Sequence, residues 1–358
     1  MAAALLVALT LAGGAPSAVL DAQAAVQAAT TVTLADGTFT LDQPVQVPPG
    51  ATLLVRNATL YLDYRDGCTV SCQTPAILVE SGATLDLESS RVDTHRPASD
   101  GPYVVEGEGA RLVVNGTDLA QFGSFTFQLA GPSRSTVSNA TFHDGWGPLT
   151  FQRGAEADVV GSTFRALDAG IAVRDSTSSI DGDVFQGIPG RAIDVQATVA
   201  GQNTLATMTD VEDNVVQDSG VGLLNLNGYP NPVTGNVFDN DTVGAQLGVL
   251  YGIQTVHAEG PVMTGNLFQN DTTALTVTLE AASIEPAYPP SIVSVERNDF
   301  VGTVCSDVET PPSFEGILFV DATHSWWGSP AGPTDRGAAC PALSGSGIVA
   351  SPWASGPV

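Results

Sequence analysis

An all-β solenoid of short parallel strands is the fold class this sequence predicts, and three observations carry it. An apolar-x4-apolar unit recurs ten times, a second short pattern with apolar residues two apart follows it, and no run between Thr31 and the end keeps a helical period. The 358 residues are 43% hydrophobic and 14% charged, so there is enough apolar material for a sizeable core.

Residues 1–30 are rich in Ala and Leu. The apolar run Ala2–Ala12 leads into Gly13-Gly14-Ala15-Pro16-Ser17-Ala18. It is too short to span a bilayer and reads as the core of a secretory signal, although no positive charge precedes it. A mis-assigned start and a buried N-terminal cap are the competing readings. Residues 31–358 are expected to form one domain. Residues 31–50, alternating through Val32, Leu34, Phe39, Leu41, Val45 and Val47 into Pro48-Pro49-Gly50, suit an N-terminal cap strand.

The ten units are Val55/Leu60, Leu87/Val92, Val114/Leu119, Val137/Phe142, Val159/Phe164, Ile180/Phe185, Val211/Val216, Val233/Phe238, Met263/Phe268 and Val295/Phe300, with the shortest steps at 21 to 23 residues. Five is an odd spacing, so in a flat strand the two members would face opposite ways, and the chain must bend between them. The residue three after the first member is Asp183, Asn214, Asn236, Asn266 or Asn298 in the last five units. Asn and Asp accept bent backbone and bond neighbouring amides. We therefore expect the bend there and, on stacking, an internal hydrogen-bonded ladder. The second strands carry Leu149/Phe151, Ile171/Val173, Ile193/Val195, Leu224/Leu226, Leu247/Val249 and Leu275/Val277. Successive coils then pair in parallel about 4.8 Å apart.

These residues also carry a resemblance. The units Gly235-Asn236-Val237-Phe238 and Gly265-Asn266-Leu267-Phe268, each followed by an Asn-Asp turn, resemble the parallel β-helix repeats of pectin-lyase-like or NosD-type secreted proteins. The ending Thr323-His324-Ser325-Trp326-Trp327-Gly328-Ser329-Pro330-Ala331-Gly332-Pro333, then Ser351-Pro352-Trp353, is similar to the W-W-G-x-P-x-G-P … S-P-W ending of many such domains. The resemblance implies a single-stranded right-handed parallel β-helix, here of about ten to twelve coils by the repeat spacing, and is nearly silent on activity. Both ends need covers, and residues 322–358 with Trp326, Trp327 and Trp353 are expected to plug the C-terminal one.

Thirty-eight Asp plus Glu against 12 Arg and no Lys give a net charge of −26. That balance argues against nucleic acid and anionic lipid as partners. No second hydrophobic segment appears, so no membrane span is expected. A Lys-free, Asp-rich surface suits a salt-rich medium or simply a GC-rich genome. Five Asn-x-Ser/Thr sequons, at Asn57, Asn115, Asn139, Asn240 and Asn270, suit glycosylation of an exported chain. Four cysteines allow three pairings, of which Cys68–Cys72 and Cys305–Cys340 are expected as end staples.

Equivalent positions of successive coils line up on a solenoid. The outward residues of the second strands predict a polar stripe of Gln128, Gln152, Arg174, Asp194, Gln196, Asn225 and Asn227. Amide and guanidinium donors in a row suit the hydroxyls and carboxylates of an extended sugar chain. The expected role is a secreted or cell-surface structural, adhesive or glycan-binding module without catalysis. The alternatives are a polysaccharide lyase or glycoside hydrolase acting on an acidic polysaccharide, and a self-assembling structural protein or homo-oligomer. Catalytic candidates are Arg174, Asp194, Asp168 and His143, near five of the twelve Arg at 134, 153, 165, 174 and 191. The galacturonase-type Asn-Thr-Asp, Asp-Asp and Gly-His-Gly patterns are missing. No cofactor is expected. His and Met spacing does not suit copper, and for Ca²⁺ the candidate turns are Asp181-Gly182-Asp183 and Asp239-Asn240-Asp241.

Overall fold

The computed structural model describes residues 8–12, 18–19, 30–63, 75–95, 105–120, 127–147, 149–197, 199–200, 203–204, 208–226, 231–251, 259–281, 291–310, 318–334 and 341–358. The chain divides into two compact units, residues 1–168 and 169–358. No helix occurs among the described residues, and none is therefore long and apolar enough to cross a membrane.

Each unit is a right-handed parallel β-helix built from three sheets, A, B and C, which the chain visits in turn. In the first unit Thr52–Arg56 lies on sheet A, Thr59–Leu62 on sheet B and Ile77–Val79 on sheet C. In the second unit Pro232–Thr234, Val237–Asp239 and Val243–Tyr251 repeat the sequence. Among the described residues the one antiparallel pair is Val199–Ala200 with Asn203–Thr204, an insertion between sheets C and A. Residues 31–50, expected as a cap, supply one regular strand to each sheet: Thr31–Ala35, Thr38–Leu41 and Val45–Val47. Ala8–Ala12 pairs in parallel with Thr31–Ala35.

All twenty members of the repeat units are buried. The first ends sheet A and the second sits on sheet B, so the odd spacing is absorbed by a corner. The left-handed residue lies one position earlier than expected. It is the second after the first member in every unit, for example Asn57 (φ 47°), Asn139 (φ 50°), Gly182 (φ 64°) and Arg297 (φ 58°). Turning the chain there frees the third residue to point inward, which is where the ladder forms.

In the second unit that ladder is continuous. Asn214 Nδ2 donates to Asn236 Oδ1, Asn236 Nδ2 to Asn266 Oδ1 and Asn266 Nδ2 to Asn298 Oδ1, each at 2.9 Å. The same oxygens accept the backbone N–H of Asn214, Asn236 and Asn266, and the amides also donate to Val211, Val233 and Met263 carbonyls of the preceding coil. Hydroxyls do similar work in the first unit: Ser90 Oγ reaches the Val55 carbonyl and Thr117 Oγ1 the Leu87 carbonyl. The Asn, Ser and Thr groups of this corner are thus paired, as a dry interior requires.

Aromatic rings stack over the same corner. Phe142 and Phe164 lie 4.8 Å apart in the first unit. In the second, Phe238, Phe268 and Phe300 stack at 4.9 and 5.2 Å, and Trp327 closes the column 4.7 Å beyond Phe300. Trp327 therefore plugs this end. Trp326 is half-buried, and Trp353 is 41% exposed, so it does not enter the core. The Trp353 ring lies over Gly332, where a Cβ would come within 2.7 Å of it.

One second strand departs from the expected register. Leu223 aligns with Ile193, and Asn225 with Val195, so the inward pair is Leu223/Asn225 rather than Leu224/Leu226. A one-residue slip exchanges faces in a strand. The Leu-Leu-Asn-Leu run offers apolar residues in both registers, and pairing with the neighbouring strand selects the one that buries Asn225.

Candidate functional site on sheet C

The insertions in this chain border sheet C. In the first unit the chain lengthens between sheets B and C, from Leu62 to Ile77, Asp93 to Val105 and Ala120 to Phe127, against Leu41 to Val45 in the first coil. In the second unit it lengthens after sheet C, as between Tyr251 and Glu259 and between Ala281 and Ser291.

Sheet C of the first unit holds a cavity of about 250 Å³ lined by Glu106, Glu108, Gln128, Gln152 and Arg153, with Leu78 in register beside Glu106. Strand alternation puts Glu106 and Glu108 on one face, separated by Gly107. A Cβ on Gly107 would meet both Ala110 and Leu129 at 2.8 Å, so glycine lets the strand sit close to its neighbour. Glu106 pairs in register with Gln128, and Gln128 with Thr150, while Glu108 and Gln152 both align with Ala130. Gln128 and Gln152 thus occupy adjacent rows rather than one, yet both face the cavity. Burial pushes the Glu106 carboxyl above its ordinary value, so it holds its proton to higher pH. Glu108 is exposed and pairs with Arg153 at 3.4 Å.

In the second unit sheet C carries a different cluster. Asp194 is nearly buried and accepts from Arg174 Nη2 at 3.4 Å, Arg191 Nη1 at 3.2 Å and Gln196 Nε2 at 2.6 Å. Arg174 and Gln196 are in register, as the stripe requires. The stripe then breaks. Asn225 faces the core at 0% exposure, with neither Oδ1 nor Nδ2 hydrogen-bonded, and Leu226 stands beside Gln196 instead. Asn227 lies outside the described residues.

The remaining candidates sit elsewhere. His143, on sheet B, is held from both sides, Nε2 by Asp118 at 3.0 Å and Nδ1 by Asp144 at 2.7 Å. With both ring nitrogens occupied it is a bridge in the network Asp93–Arg91–Asp118–His143. Asp168 is an exposed corner residue whose N–H donates to Gly145. In the turn Asp239-Asn240-Asp241 the carboxyls are committed to ladders, Asp239 accepting from Asn270 and Asp241 from the Ser219 N–H, while in Asp181-Gly182-Asp183 the Asp183 side chain is fully buried and Asp181 is half-buried. Among the described residues no group of three His, Cys, Asp or Glu is placed to hold a metal. Of the sequons, Asn57, Asn139, Asn240 and Asn270 are left-handed corner residues, and Asn115 bonds Ser138 within sheet A. Cys68, Cys72 and Cys340 lie outside the described residues.

Sequence reasoning missed Glu106 and Glu108. Their strand, Val105–Glu108, has Gly at an inward position, so the apolar pair that flags the other second strands is absent. The alternation Val-Glu-Gly-Glu was the available signal.

No family model matches the chain, and no curated protein matches it. Solved structures do. A polygalacturonase from Erwinia carotovora ssp. carotovora is similar over 96% of this chain and 94% of its own, at 12% identity and a TM-score of 0.54. The Azotobacter vinelandii mannuronan C-5 epimerase AlgE6 A-module covers 92% and 94% at 15% identity, with a TM-score of 0.44. The chain shares its fold with the polygalacturonase. At that identity the likeness extends to the fold alone.

Proposed function

We propose that the protein acts on a polysaccharide laid along sheet C, hydrolysing a glycosidic bond in the cavity of the first unit. The observation that carries this reading is the convergence of Glu106 and Glu108 on one face of a cavity that also presents two side-chain amides. Glycoside hydrolysis needs one carboxyl that keeps its proton and one carboxylate, and contrasting environments separate such a pair. Glu106, raised by burial, protonates the leaving oxygen, and Glu108 takes the proton of the attacking water. Gln128 and Gln152 orient sugar hydroxyls. A solved structure of the same fold is a polygalacturonase, which agrees with a glycan as partner.

Hydrolysis is preferred to elimination because the cation in the cavity, Arg153, is paired with Glu108 rather than open to a uronate carboxylate. Binding without turnover is the second reading, favoured by the Arg174–Asp194–Gln196 cluster, in which Asp194 is held by both side chains while Arg174 Nε has no partner among the described residues. In either case we place the protein outside the cell, on the sequons and the cysteines, with Cys305 disulfide-bonded. Incubating the full chain with neutral and acidic polysaccharides and assaying reducing ends tests turnover. Release that Glu106→Gln abolishes is expected. No release from any of them, with retention on a glycan column, would replace turnover by binding.

A further inference from the structure

Twelve Arg serve the whole chain, and two of them are placed side by side on sheet A of the first unit. Val113 pairs with Thr136, and Arg111 and Arg134 each stand two residues earlier on the outward face of these adjacent strands. Strands in a ladder are about 4.8 Å apart, and like charges directly opposite destabilise a sheet. Arg134 is partly compensated: its Nε and Nη2 donate to Asp158 at 2.9 and 3.1 Å, which leaves the rest of its fork open. The Arg111 guanidinium makes no hydrogen bond or ion pair among the described residues, although its backbone N–H donates to the Ala83 carbonyl. Asp86, in register with Val113 on the preceding strand, feels Arg111 and is pushed up chiefly by burial.

Both guanidiniums line a cleft of about 490 Å³, together with the hydroxyl-bearing Thr84, Ser133 and Thr136. Thr84 lies in register with Arg111 on the other side. The cleft is far larger than a bare anion needs and falls in the range of small-molecule sites. We propose that this cleft binds an acidic sugar, its carboxylate or sulfate spanning Arg111 and Arg134 and its hydroxyls meeting Thr84, Ser133 and Thr136. An oxyanion there would relieve the like-charge contact and use the planar donors of both forks. The site is on sheet A, separate from the sheet C cavity, and does not depend on hydrolysis.

The test is calorimetric titration of the full chain with a uronic acid trisaccharide, a sulfated trisaccharide, a neutral trisaccharide and inorganic sulfate. Binding of at least one acidic trisaccharide, weakened by added salt, is expected, with the neutral one not binding at this site. Which acidic probe binds identifies the oxyanion, and sulfate alone binding equally well would reduce the site to a simple anion pocket and overturn the sugar. Arg111→Gln should weaken the acidic sugar about ten- to a hundredfold, while Arg111→Lys recovers part of it. Retained affinity in Arg111→Gln, with the melting temperature preserved, would overturn the proposal, as would no binding of either acidic probe.

Discussion

The backbone N–H of Asp241 donates to Asp271 Oδ1 at 2.8 Å, and that of Ser219 to Asp241 Oδ1 at 2.6 Å, so two carboxyls stack inside the corner between sheets B and C of the second unit. Their other oxygens have no partner and lie against Gly222 and Gly244. The corner between sheets A and B solves the same problem with Asn, whose amide both accepts and donates. The carboxyl ladder can only accept when ionised. Burial consequently raises Asp241 to about 7 and Asp271 to about 8.

This fixes a pH dependence. Both groups bind a proton in the folded state over a range where the unfolded chain has released it, so they favour folding in acid. That contribution is lost as pH rises from about 4 through 7 to 8. Asp271→Asn should leave the melting temperature near pH 4 almost unchanged and raise stability at pH 9 by a few kcal/mol, roughly. Equal effects at both values would show that the carboxyl is not the titrating group.

The Asn ladder predicts the opposite response. Asn266→Ala orphans the Asn236 donors and removes bonds to Val233 and Asn298, and should destabilise by roughly 2–4 kcal/mol in denaturant titration. A loss below 1 kcal/mol, on the order of one ordinary hydrogen bond, would mean the ladder is not cooperative.

Asn225 is a polar residue in an apolar row with no bonds made. Asn225→Leu should stabilise by about 1–3 kcal/mol, since it replaces an unsatisfied amide with a group the core favours. A destabilised variant would imply that the amide has a partner in solution, such as a buried water.

Catalysis in the sheet C cavity has its own signature. Because Glu106 must carry a proton, activity should fall as pH rises through its elevated pKa, and Glu106→Gln should lower kcat by about a hundredfold or more with the melting temperature retained. Glu108→Gln should also lower kcat, because the attacking water loses its proton acceptor. Unchanged kcat in both variants would take these carboxyls out of the chemistry.

How much was legible varied by position. The apolar pairs and the Asn run were readable because each repeats locally, and stacking turns local repetition into columns: Phe238 over Phe268, Asn236 over Asn266. The site was less readable. Arg174, Asp194 and Gln196 were found by counting along strands, whereas Glu106 and Glu108 sit in the strand with the weakest apolar signal. Asn225 was misplaced because Leu-Leu-Asn-Leu permits two registers. Arg111 and Arg134, 23 residues apart, become neighbours only through ladder register.

The amino-acid order by itself determined that this chain coils, to within one residue where it turns, and which apolar pairs line its A and B sheets, since those depend on short-range spacing and on the conformations Asn, Asp and Gly tolerate. Tertiary structure alone decided which outward side chains meet, which carboxyls lose their water, and that sheet C gathers two glutamates around a cavity. Those outcomes depend on register between strands remote in sequence and on desolvation by neighbouring coils, and neither quantity is written in any single segment.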